Sequence, residues 1–140
     1  MTLFVDTSVW SLALRRDQPS PSPQVRALLD ALEGDVLVAT TGLVLQELLQ
    51  GFAGARARSA IVDRFAGLPL LPPAREDHVE AAELRNRCRR AGVQLSTVDA
   101  LIAQLCIQHD LTLLTTDKDF TRAAKHCRLR VWSASQKPIA

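Results

Sequence analysis

The acidic residues of this 140-residue chain follow a pattern that could support metal chemistry. Asp6 directly follows a short apolar run, and Asp117 directly follows another. Glu47 and Asp99 lie within two segments of helical pattern. Carboxylates gathered without matching cations repel one another, and a hard divalent cation such as Mg²⁺ or Mn²⁺ relieves that repulsion. Because water bound to such an ion is a better nucleophile, the predicted chemistry is hydrolysis of a phosphodiester.

Each acid also has a simpler interpretation. Asp6 could cap the helix that follows it, and Asp117 could be a turn residue. Glu47 could be solvated, as a lone glutamate on a helix usually is. Asp99 could complete a capping box with Ser96, although its apolar neighbours indicate a buried carboxylate that needs a partner.

Short apolar runs alternate with amphipathic segments, which is typical of an α/β protein with a mainly parallel sheet. Ligands bind such sheets outside the carboxyl ends of the strands, where Asp6 and Asp117 are predicted. We expect a single domain over residues 1–133 and a C-terminal tail over 134–140. Strands are predicted at 2–5, 36–39, 68–71, 111–114 and 128–132, and helices at 9–14, 24–33, 43–52, 55–66, 74–91 and 98–107.

Composition sets the broad class of the protein. With 47% hydrophobic and 23% charged residues, the chain is typical of a globular protein. Its net charge of +2 is too small to indicate a nucleic-acid partner. Three cysteines without a CxxC pair favour the reducing cytoplasm. No apolar run approaches the roughly 18 residues of a membrane span, and the amino terminus does not resemble a signal peptide.

Four stretches together resemble the PIN domain, in its VapC-like toxin branch: MTLFVDTSVW, TTGLVLQELLQGF, LSTVDALIAQLC and LTLLTTDKDF. Their order and spacing agree with the family, and the resemblance covers essentially the whole chain. It implies a three-layer α/β/α sandwich whose parallel sheet has the strand order 3-2-1-4-5. That order places the first and fourth strands side by side.

The resemblance also implies a set of site residues. Asp119 matches a frequently acidic position near the metal site, and Thr116 matches a small hydroxyl residue before the fourth acid. Ser8, or Thr7 in its place, matches a hydroxyl that helps to order the pocket. The family's metal ligands fall on Asp6, Glu47, Asp99 and Asp117.

Proteins of this branch are Mg²⁺- or Mn²⁺-dependent endoribonucleases that attack structured RNA, often tRNA or ribosomal RNA. The resemblance therefore implies an RNA substrate, a homodimer and a small cognate VapB-like antitoxin as inhibitor. Arg15 and Arg16 follow the Asp6 turn, and Arg85 and Arg89 share a helix face, so all four are candidate RNA contacts. A solvated helix face would show the same arginine pattern.

Two other functions are weaker. A catalytically silent PIN-like module that binds RNA or a protein would be expected to lack one of the acids, and none is missing. A phosphatase of the haloacid-dehalogenase type would need an Asp-x-Asp pair after the first strand. The chain reads Asp6-Thr7-Ser8 there.

Overall fold

The strands of the central sheet run parallel, in the order β2-β1-β3-β4. The computed structural model describes residues 1–15 and 22–135; the predicted contact Arg16 and the last five residues of the predicted tail lie outside these ranges. Leu3 of the central strand pairs with Val38 on one side and with Thr112 on the other. The strands are β1 (Thr2–Val5), β2 (Leu37–Ala39), β3 (Thr112–Leu114) and β4 (Arg130–Val131).

The strand predicted at 68–71 is reduced to one parallel bridge between Thr40 and Leu70. Pro69 has no N–H to donate, which limits a regular ladder. The segment still runs beside β2, because the Thr40 amide donates to the Pro69 carbonyl at 3.0 Å and the Leu71 amide donates to the Thr40 carbonyl at 2.8 Å. Counted with this segment, the sheet has the predicted order 3-2-1-4-5.

Helices cover both faces of the sheet because crossovers between parallel strands are right-handed. After β1 the chain adds β2 on one side, and it later returns to add β3 and β4 on the other side of β1. The direction of the crossovers reverses, so the first four helices and the last three lie on opposite faces of the sheet. The predicted three-layer sandwich is thereby confirmed. The helices of the described ranges are α1 (Thr7–Leu14), α2 (Pro23–Glu33), α3 (Gly42–Gly51), α4 (Ala55–Ala66), α5 (Arg75–Arg90), α6 (Thr97–Gln108) and α7 (Lys118–Ala123). Among them, none has the length and apolar character needed to cross a bilayer.

Apolar side chains of β1, β3 and α6 form the centre of the core. Phe4, Val5, Leu113 and Leu114 have no exposed surface. Every residue of α6 from 100 to 106 is buried, which confirms that this helix is packed on nearly all sides. Full burial of one such side chain stabilises a fold by about 1.5–3 kcal/mol, so this layer holds the ends of β1 and β3 in place.

Some element bounds differ from the predictions. Helix α2 begins at Pro23, one residue early, because proline suits the first position of a helix and the Ser22 hydroxyl caps it. The last strand is shorter than predicted, although the Trp132 amide still donates to the Leu113 carbonyl at 2.8 Å. The sequence pattern does not predict α7, whose short apolar face consists of Phe120 and Ala123.

Candidate metal centre

Asp6 and Asp117 meet where β1 and β3 end side by side. The Asp6 amide donates to the Leu114 carbonyl at 3.0 Å, which continues the strand pairing to the acid itself. Asp6 is only 6% exposed. It occupies the N-cap position of α1, but its carboxylate makes no capping hydrogen bond. The capping interpretation of Asp6 is therefore not supported by the geometry.

A hydroxyl network orients the Asp6 carboxylate. Ser8 Oγ and Thr115 Oγ1 both donate to Asp6 Oδ2, at 2.8 and 2.7 Å. Thr115 Oγ1 also accepts from the Asp117 amide at 3.0 Å, and Ser8 Oγ accepts from the Thr116 amide at 3.1 Å. The two hydroxyls therefore join the turn after β1 to the turn after β3.

The role of Thr115 is not predicted from the sequence, whereas that of Ser8 is. Thr115 is buried, while the neighbouring Thr116 is exposed and contributes only its amide to this network. A signal for Thr115 exists in the chain, because residues two apart in an extended segment point the same way. By that rule Thr115, rather than Thr116, shares a face with Asp117.

Glu47 reaches the same region from α3. Its Oε1 accepts from Thr7 Oγ1 at 2.8 Å, which joins the start of α1 to α3. The residue is exposed, yet its carboxylate is fixed by this contact rather than free in solvent. Both hydroxyls of the Thr7-Ser8 pair thus hold a carboxylate of the predicted set.

Asp99 lies in the first turn of α6, where Ser96 Oγ accepts from its amide at 3.0 Å. The pKa of the Asp99 carboxyl is raised to about 6. Burial is the largest cause, the charges of Asp6, Asp117 and Glu47 also raise it, and hydrogen bonding to Ser96 lowers it. Ser96 therefore caps α6, as one half of a capping box would. The charges of the other three predicted acids nevertheless act on the Asp99 carboxylate, so all three lie within electrostatic reach of it.

The Asp119 carboxylate pairs with an arginine of α7. Its Oδ1 accepts from Arg122 Nη1 at 3.0 Å, and its charge is not among those that act on Asp99. The Asp119 amide donates to Asp117 Oδ1 at 2.9 Å, so the Asp117 side chain caps α7, as a turn residue would.

The arginines predicted to contact RNA occupy different parts of the surface. Arg15 is exposed at the far end of α1, about 12 Å along the helix from Thr7. Arg89 is exposed in the last turn of α5. Arg85 is half-buried, and its Nε donates to the Leu95 carbonyl at 2.8 Å.

The four clustered carboxylates have the chemistry of a divalent-cation site. The ion pairs formed among the described residues are Arg26–Asp30, Arg122–Asp119 and Arg130–Asp110, and none includes one of the four. The side chains are coupled by charge, but in the described ranges no three acids, histidines or cysteines are arranged to hold an ion as they are placed. Uncompensated like charges repel one another, and a cation bound among these carboxylates would relieve that repulsion. Oxygen-rich, uncompensated donors fit Mg²⁺ or Mn²⁺.

The fold and this cluster define a three-layer α/β protein with an acidic centre at its strand ends. The chain belongs to the PIN domain family, whose model matches residues 3–126. It is 28% identical over 135 residues to Ribonuclease VapC11 of Mycobacterium tuberculosis, covering 94% of this chain and 98% of that protein. The VapC-like resemblance predicted from the motifs is confirmed.

Solved structures show the same fold. FitAcB from Neisseria gonorrhoeae superimposes with a TM-score of 0.71 at 25% identity, covering 94% of this chain and 97% of that one. VapBC2 from Rickettsia felis, bound to a DNA fragment from its promoter, gives a TM-score of 0.73 at 20% identity over 94% and 98% of the two chains.

Proposed function

We propose that this protein is a Mg²⁺- or Mn²⁺-dependent endoribonuclease and the toxin of a toxin–antitoxin pair. The observation that carries the proposal is the cluster of Asp6, Glu47, Asp99 and Asp117. The four acids come from separate parts of the chain, and the charges of the other three act on Asp99. No arginine, lysine or histidine of the described residues forms an ion pair with any of them. Similarity to Ribonuclease VapC11 along nearly the whole chain supports RNA as the substrate.

The residues of the site divide into ligands and supports. The four carboxylates would hold the cation, which when bound activates a water molecule and stabilises charge on a phosphoryl oxygen. Ser8 and Thr115 both donate to Oδ2 of Asp6, so neither hydroxyl occupies its Oδ1. Thr7 donates to Oε1 of Glu47 in the same way. Metal ligands oriented by such hydrogen bonds lose less freedom on binding.

The proposed partners follow from the same relatives. The similar structure of VapBC2 is of a complex, which supports a VapB-like antitoxin as inhibitor of this chain. We extend the proposal to a homodimer and to tRNA or ribosomal RNA as the target. The three free cysteines of the chain support a reducing, cytoplasmic location.

Cleavage of total cellular RNA by the purified, antitoxin-free protein tests the proposal. We expect discrete fragments with Mg²⁺ or Mn²⁺, none with EDTA, and none from an Asp99→Asn variant. Asp63→Asn, which changes an exposed acid of α4, is the matched control and should cleave as the original protein does. Lack of cleavage by a folded, metal-loaded protein across tRNA and ribosomal RNA would favour the silent binding module.

A further inference from the structure

Helices α5 and α6 form a hairpin that brings the end of one beside the start of the other. Residues 91–96 connect them, and the Val93 amide donates to the Cys88 carbonyl at 2.8 Å to close the turn. The hydrogen bond from Arg85 Nε to the Leu95 carbonyl holds the end of α5 against this connection. Because Asp99 lies in the first turn of α6, the last two turns of α5 are at the same end of the fold as the acidic cluster.

Those last turns of α5 carry a concentration of positive charge. No acidic residue occurs from 84 to 98 of the sequence. In the described part of the chain, no carboxylate forms an ion pair with any of these arginines. Three of the arginines are exposed in the last turn, where the carbonyl end of the helix interacts favourably with positive charge. The arginines are Arg85, Arg87, Arg89 and Arg90.

Arg85 differs from the other three because it is half-buried and held in one orientation. The Leu95 carbonyl accepts from Nε only, so the Nη groups of the guanidinium keep their donors for another acceptor. A guanidinium fixed in this way loses less side-chain freedom on binding an anion. Its orientation therefore suits phosphate recognition better than that of a freely rotating surface arginine.

A groove of about 230 Å³ opens between the two helices beside Arg85. Besides Arg85, the groove is lined by the apolar residues Ala81, Ala82, Ala100 and Leu101 and by the polar residues His78, Asn86 and Thr97. The volume is below the roughly 300 Å³ of a pocket for a drug-sized ligand, so the groove has room for one small group, such as a single base. The amide of Asn86 and the hydroxyl of Thr97 each offer both a donor and an acceptor.

We propose that this groove binds one unpaired base of the RNA substrate while Arg85 binds a neighbouring phosphate. The inference rests on the proposed ribonuclease function. Proteins that read RNA sequence do so mainly on unpaired bases, which hydrogen-bond along their edges. The groove and Asp99 lie on opposite sides of α6 at the same end, so a strand that occupies both crosses the helix N-terminus, where free amides favour phosphate.

Binding of a fluorescein-labelled, mixed-sequence single-stranded RNA of about twelve nucleotides, followed by anisotropy in EDTA, tests this groove without requiring cleavage. Arg85→Lys keeps the positive charge but loses the planar guanidinium and its paired donors. It should weaken RNA binding about tenfold, as expected for the loss of one hydrogen bond to a charged group. Ala82→Met fills the groove from an exposed helix position and should weaken binding of single-stranded RNA more than of the same sequence as a duplex.

Arg75→Lys is the matched control, because it makes the same exchange at an exposed arginine at the other end of the same helix. Ten residues separate it from Arg85, about 15 Å along the helix, which exceeds the screening length of about 10 Å in 0.1 M salt, so its effect should be small. Circular dichroism of each variant would show that the loss of affinity is not a loss of folding.

Unchanged RNA affinity in both folded variants would overturn the proposal. So would a change in sedimentation on Ala82→Met with RNA affinity intact, because the groove would then be a surface between protein chains. The original protein could bind RNA without cleaving it, while both variants bind RNA more weakly. That result would contradict the nuclease function but still support the groove assignment.

Discussion

At the scale of single residues, Asp77 and Asp6 show how a structural acid differs in its contacts from a proposed metal ligand. Asp77 is a structural acid, since its Oδ2 accepts from the Ala74 amide at 2.8 Å at the start of α5. Asp6 is equally buried but accepts only from side-chain hydroxyls among the described residues. Asp99 is placed where burial and the charges of Asp6, Asp117 and Glu47 disfavour its charged form, and the proposed cation would relieve that cost.

The raised pKa of Asp99 predicts how stability depends on pH in the metal-free protein. Its ordinary value is 3.8 and its value in the fold is about 6, so the folded chain binds the proton more tightly. The stabilisation is complete below pH 4 and is lost as the pH rises through 6. Asparagine carries no charge, so Asp99→Asn should not lose stability as the pH rises. In EDTA at pH 8 its free energy of unfolding should exceed that of the original protein by about 1–2 kcal/mol, a figure reduced for partial solvent screening.

Urea unfolding in EDTA at pH 4.5 and pH 8 measures this effect, with Asp63→Asn as the control. The stability gain of Asp99→Asn should be larger at pH 8 than at pH 4.5. An Asp99→Asn protein that is less stable than the original at both values would mean that the carboxylate supports the fold instead.

Thr115 is predicted to act through Asp6 and Asp117. Thr115→Val keeps the shape of the side chain but removes a donor to Asp6 Oδ2 and an acceptor for the Asp117 amide. The loss should lower the free energy of unfolding by about 1–3 kcal/mol and weaken Mn²⁺ binding. Thr112→Val, at the start of β3, is the control, and Mn²⁺ calorimetry should show no change in it. Equal affinities for all three proteins would contradict a supporting role for Thr115.

At the scale of helices and strands, an element is easier to predict from the sequence when its hydrophobic pattern extends over more residues. The long helix α5 is predictable because many residues repeat its periodicity, and α6 because Ser96 can cap an apolar run of helical length. Helix α7 has only six residues, and the segment 68–71 contains a proline, so their local patterns are weak. Tertiary contacts decide both: Phe120 and Ala123 are fully buried, and Leu70 pairs with Thr40.

The serine caps of two helices allow stability to be separated from function. Ser96 caps α6 at the acidic cluster, and Ser22 caps α2. Each Ser→Ala change should lower the free energy of unfolding by about 1 kcal/mol. Only Ser96→Ala should also slow RNA cleavage, because it loosens the first turn that holds Asp99 and raises the pKa of its carboxyl. Parallel loss of cleavage in both variants would mean that stability alone limits activity.

At the scale of the whole molecule, the topology gathers residues that are far apart in the sequence. A parallel sheet places the ends of β1 and β3 side by side, and helices on both faces add Glu47 and Asp99. Three of the acids and this edge of the sheet are predictable from the residues, because Asp6 and Asp117 follow strands and Asp99 interrupts an apolar stripe. The role of Glu47 is predicted from the family resemblance instead. The contacts of Thr115 and the pairing of Asp119 with Arg122 depend on side-chain directions, which periodicity alone does not give.

Mn²⁺ affinity, measured by calorimetry on the antitoxin-free protein and its amide variants, tests the central claim most directly. Single changes of Asp6, Glu47, Asp99 and Asp117 to the matching amide should each weaken binding at least about tenfold, as loss of a ligand or its support does. Asp119→Asn, whose carboxylate pairs with Arg122, should have a smaller effect, and Asp63→Asn should have none. A protein that binds no Mn²⁺, or four variants that bind it as tightly as the original, would contradict a single metal centre made by these carboxylates.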